Sequence, residues 1–178
     1  MHLLRVLAHL GLLVPATSLV ACASYELIAL PLRDADLYPA SRTEEDVSVS
    51  AQAFTDPFRV QAYFGTNLLA YNVLPIEGTV SNHGDRPIRI EPAGILVLRG
   101  DEVINPLPVE IVGQLPTRDR WFVSDATREQ LREFYDDLSF RGATVAPGST
   151  YHGVMFFPVP EPRGAVERTL HVWQPFSM

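Results

Sequence analysis

The chain has 178 residues, of which 14 are basic and 21 acidic, giving a formal net charge of -7 with 47% hydrophobic side chains. That balance disfavours nucleic acid and electrostatic adhesion to anionic lipid, both of which need basic patches. A single cysteine allows no intramolecular disulfide, so a buried core must supply the stability, and the length suffices for one.

Residues 1–23 read as an export leader: a short start carrying Arg5, then an apolar run from Val6 to Val20 that ends in small residues. Crossing ~30 Å of hydrocarbon takes roughly 20 apolar residues, and Gly11 and Pro15 interrupt this run, so it is not a membrane span. Ala21-Cys22-Ala23 also fits an ordinary cleavage site after Ala23.

Leu19-Val20-Ala21-Cys22 resembles the lipobox of bacterial lipoproteins. The resemblance implies that Leu19, Val20 and Ala21 are the recognition residues, that the leader 1–21 is removed, and that Cys22 is acylated and enters the bilayer. Two or three acyl chains anchor stably where one is marginal. Without acylation, Cys22 would be a lone thiol in an oxidising compartment. Loss of Arg5 with the leader takes the net charge from -7 to -8. By the sorting behaviour of that family, Ala23 rather than Asp after the cysteine implies the outer membrane, with the domain on its periplasmic face.

Residues 22–46 are expected to be the lipidated N-terminus and a tether, broken by Pro31 and Pro39, with a short edge strand over 25–32. A folded domain spans 47–178. Val47, Val49, Ala51 and Ala53 alternate with Ser48, Ser50 and Gln52, which predicts a half-buried strand. Phe58, Val60, Ala62 and Phe64 alternate too and predict a second. Leu74, Ile76 and Val80 face one side of a strand that leads through the turn 82–85 to Ile88 and Ile90. Gly100-Asp101 predicts a two-residue hairpin between 95–98 and 102–104.

Prolines 106, 108 and 116 predict a long irregular connection with a short edge strand over 109–112, after which Trp121-Phe122-Val123 is expected to plug or cap the core. Leu131, Phe134, Tyr135 and Leu138 then recur at helical spacing, predicting one helix over about 127–141. Thr127 is its expected cap, Gln130 occupies the capping-box position and Gly142 is its stop. Val154 to Phe157 is apolar on both faces and predicts a central strand, and 166–173 predicts the last one.

Short strands with regular turn signals predict a mainly β fold, an immunoglobulin-like antiparallel β-sandwich with one inserted α-helix. Pro75-Ile76-x-x-x-Val80-x-Asn82 and Ala146-Pro-Gly-Ser-Thr150 look like uncharacterised bacterial lipoproteins with immunoglobulin-like domains. That likeness concerns core and turns and implies no chemistry.

The side chains point to no catalytic centre, metal or cofactor. His83 lies in a turn. His152, His171 and Met155 would be the members of a copper-type site, but no paired histidine spacing supports one. Ser149 lacks the Gly-x-Ser-x-Gly elbow, and Asp136 and Asp137 point about 100° apart on a helix. Arg99-Gly100-Asp101 is an integrin-type tripeptide with its own turn-forming explanation. The proline-rich connection is the better contact surface, with Leu107, Ile111, Leu115 and Trp121 as candidate partner residues. The expected function is therefore that of an envelope-anchored, non-enzymatic binding or scaffold module for another envelope protein. Metal-handling, hydrolysis, or action as an adhesin or inhibitor are the alternatives.

Overall fold

The computed structural model describes residues 28–38, 40–92, 95–159 and 171–173. Cys22, its lipobox and residues 166–170 of the expected last strand lie outside the described residues.

Among the described residues, three antiparallel sheets carry the fold. The largest has the order β1-β2-β3-β8, from β1 (Ser41–Glu44), β2 (Val47–Ala53), β3 (Val73–Asn82) and β8 (Ser149–Pro158). A second pairs β4 (Ile88–Ile90) with β7 (Ala143–Val145). The third runs β6-β5-β9, from β5 (Leu96–Arg99), β6 (Glu102–Ile104) and β9 (His171–Trp173). The chain is thus mainly β, antiparallel and sandwich-like, with a few helices: α1 (Pro57–Phe64), α2 (Val109–Val112) and α3 (Asp125–Leu138).

Register explains the layering. Leu74 lies opposite Phe157, Ile76 opposite Met155 and Gly78 opposite Gly153, so these side chains share one face of the large sheet. They pack with Val80 of the same sheet, with Ile90, Val97 and Val145 of the smaller sheets, and with Ile95 just before β5. Val73, Val154 and Phe156 point the other way, into Val60, Phe64, Val112, Leu131 and Tyr135 of the helices. One sheet therefore separates two cores. Along β2 the residues Val47, Val49, Ala51 and Ala53 face the sandwich side, as the alternation predicts.

Several expectations change. The stretch 58–64 is helix, not strand: Asp56 caps it by accepting from Phe58 N, Pro57 fits its first turn, and Gly65 ends it in the left-handed region at φ 70°. Val60 and Phe64, one helical turn apart, are the residues it buries. The stretch 109–112 is likewise a helical turn after Pro108. Ser124, not Thr127, caps α3, accepting from Thr127 N at 3.1 Å. The helix ends at Ser139, three residues before Gly142, where Ser139 Oγ donates to Tyr135 O.

Strand β8 is buried on both faces yet stands at the edge of its sheet among the described residues. Burial on both faces reports layers above and below, not neighbours on both sides. Irregular chain covers the free edge in part: Leu107 N donates to Phe156 O at 2.6 Å and Phe140 N to Val154 O at 3.0 Å.

The span 28–46 is packed as well. Leu30 joins the helical core, Ala35 and Tyr38 are buried, and β1 pairs with β2.

Candidate functional site

A groove of about 240 Å³ opens along the free edge of β8. The proline-rich connection supplies Pro106, Leu107 and Val109, and the segment after α3 supplies Phe140 and Arg141. Met155 and Phe156 form part of its wall, while Asp136 and Arg141, paired at 2.6 Å, provide its charged groups. An apolar trough with one ion pair suits an extended apolar segment whose polar backbone meets that pair.

The four candidate contact residues separate. Leu107 lines the groove, Ile111 is half-exposed on α2, and Leu115 is buried in the helical core. Trp121 is 98% exposed and Phe122 91%, so the expected plug does not form. Val112, Leu115, Leu131 and Tyr135 already fill that core. The loop is pinned outward at its root, where Tyr71 Oη donates to the Asp119 carboxylate. That bond, with partial burial and the nearby negative charge, raises the Tyr71 pKa above its ordinary value.

On the helical side of the large sheet, the half remote from α1–α3 is polar. Ser48, Ser50, Thr79, Ser81 and Glu77 point there and are buried. The segment 34–38 covers them. Asp34 Oδ1 accepts from Thr150 Oγ1 at 2.7 Å and Ser81 Oγ at 3.0 Å, and Ala35 N donates to Ser81 Oγ at 2.9 Å. The Thr150 and Ser81 bonds lower the Asp34 pKa. Tyr38 lies beside Thr79 and Glu77, and burial raises its pKa. Beneath it, His152 Nδ1 sits 3.0 Å from Glu77 Oε1. The sequence reading missed this polar interior. An acidic residue between Ile76 and Gly78 was its one visible sign.

The remaining candidates stay apart. His152 and Met155 point to opposite faces of β8, so they share no site. His171 belongs to a different sheet from His152. His83 is exposed in its turn and Ser149 is exposed at the start of β8. Asp136 pairs with Arg141 while Asp137 is exposed, and Gly100-Asp101 forms the β5–β6 hairpin tip with Gly100 at φ 61°. Among the described residues, no three His, Cys, Asp or Glu converge as a metal site would require.

No family model matches the chain, and no curated protein matches it. The solved structures similar to it include two from one organism. The yjhA protein from Bacillus subtilis is 15% identical with a TM-score of 0.41, the match covering 70% of this chain and 73% of that one. The putative lipoprotein ycdA from Bacillus subtilis is 12% identical with a TM-score of 0.38, over 77% of this chain and 38% of that one.

Proposed function

We propose that the chain is a bacterial envelope lipoprotein, anchored through acylated Cys22 in the outer membrane, whose immunoglobulin-like sandwich serves on the periplasmic face as a non-enzymatic binding module. The observation that carries the binding role is the apolar groove on the free edge of β8, with its Asp136–Arg141 pair. Apolar walls around an ion pair suit an extended segment that seats its side chains between them. The lipobox residues Leu19-Val20-Ala21-Cys22 support the anchor, and no helix among the described residues is long and apolar enough to cross a membrane. The partner is another envelope protein that offers an extended apolar stretch.

Membrane fractionation of the native chain and of Cys22→Ala, each followed by mild crosslinking and mass spectrometry, tests this function. Native protein in the membrane fraction, release of the variant and one recurrent envelope protein are expected. Identical fractionation of the two forms would contradict the anchor, and a bound metal or small molecule in place of a protein would contradict the module.

A further inference from the structure

We propose that the loop 118–123 is a membrane-interface element: Trp121 and Phe122 insert among the headgroups of the bilayer that holds the anchor and lay the helical side of the domain on that bilayer. This rests on the lipid-anchor reading given above.

The first support is exposure on a fixed root. Two adjacent large aromatics at 98% and 91% exposure are costly in water. They do not sit on a fraying end. The Tyr71–Asp119 bond fixes the chain before them, and the Ser124 cap of α3 fixes it after them. A loop tied at both ends that holds its apolar side chains out of the core is built to place them in another phase or against another surface.

The second support is the length of the tether, which selects the occupant. Six peptide steps separate Cys22 from Ile28, and fully extended they reach about 20 Å. Leu30, two residues further, is packed with Val112, Leu115 and Leu131. The described chain thus begins beside the helical core, and the sequence sets Cys22 no more than about 20 Å from Ile28. Leu115 and Leu131 flank the loop in sequence, so the loop is rooted in the same core as Leu30.

The chemistry suits lipid headgroups. Indole combines an apolar body with one N–H donor and concentrates at the membrane interface. Arg118 precedes the aromatic pair, and arginine can hold its head at phosphate level while its stem lies in apolar surroundings. The net negative charge of the chain means that insertion rests on the aromatic pair and not on lipid charge.

Brominated-lipid quenching of tryptophan emission reads this directly. Full-length acylated protein is reconstituted into phosphatidylcholine vesicles with bromine near the headgroup end of the acyl chains. The chain has two tryptophans, so subtracting the Trp121→Phe spectrum isolates Trp121. The proposal expects a blue-shifted Trp121 component that loses most of its emission to bromine, equally in vesicles with and without phosphatidylglycerol. Protein retained on vesicles with an unquenched Trp121 component overturns the insertion and leaves the anchor standing. Native protein that washes off like Cys22→Ala overturns the anchor and the insertion with it. A Trp121 blue shift that appears only on adding envelope extract assigns the loop to a protein partner and overturns the lipid assignment.

Discussion

Tyr71 and Asp119 are 48 residues apart in sequence and share one hydrogen bond, phenol to carboxylate, which ties the loop carrying Trp121 to the turn Leu68–Tyr71. Both groups are largely solvated, so the bond contributes about 1 kcal/mol or less to global stability. Its effect is local. Asp119→Ala is expected to leave the urea midpoint almost unchanged and to accelerate tryptic cleavage at Arg118 and Arg120. The pH dependence has a definite sign: the folded Tyr71 pKa is raised above 10.0, so the bond is fully present below that value and is lost as pH rises through the folded pKa.

Two glycines face each other across β3 and β8, and they differ in tolerance. A Cβ on Gly153 would lie 2.6 Å from Phe140 Cα and 2.8 Å from its nitrogen, whereas one on Gly78 would meet the Phe140 ring at 3.2 Å. A ring can tilt, but a backbone that also bonds Val154 O cannot shift freely. Gly153→Ala is therefore expected to cost about 3 kcal/mol, at the upper end of overpacking effects. Gly78→Ala should cost under ~1.5 kcal/mol, and equilibrium urea unfolding compares the two.

Glu77 is 4% exposed at its side chain and His152 27%. Removing the imidazole in His152→Ala strands a buried carboxyl, and the expected loss is about 2–3 kcal/mol, below the ~3–5 typical of fully buried pairs because the imidazole is partly solvated. Adding Glu77→Gln should recover part of that loss, since a neutral amide needs less solvation. A thermal-melt double-mutant cycle measures the coupling.

Asp34 holds the N-terminal segment on the polar face. Its folded pKa lies below 3.8 because Thr150 and Ser81 donate to it. The contact is thus complete above that value and is lost as pH falls through the folded pKa. Hydrogen exchange of the Ala35 amide, which donates to Ser81 Oγ, reports the docking. Protection should hold from pH 7 to pH 5, fall in strong acid, and be lost at neutral pH in Asp34→Ala.

Local pattern made much of this fold legible. The alternation in β2, the Gly100-Asp101 hairpin and the helical spacing of Leu131 and Tyr135 are dictated by near neighbours, and each lies close to where the sequence places it. The segment 58–64 was ambiguous because Val60 and Phe64 satisfy both periods, and the Asp56-Pro57 start with the Gly65 stop decides for helix. The polar face was illegible for a different reason. Ser48, Ser50, Thr79 and Ser81 look like solvent-facing positions until a segment distant in sequence covers them. The groove depends equally on long-range meetings, of Leu107 with Phe156 and of Phe140 with Val154. Of the candidate contact residues, only Leu107 contributes to it.

The central claim is that an anchored domain binds an envelope protein in the groove on β8. The most direct measurement places a photo-crosslinking amino acid at position 106, on the groove wall, in full-length protein within living cells. The account predicts one discrete, light-dependent adduct with an envelope protein, recovered in the membrane fraction, and no such adduct from the same probe at Glu102 on the opposite sheet. Indistinguishable smears from both positions, or no adduct at 106 while the protein remains membrane-bound, would contradict it.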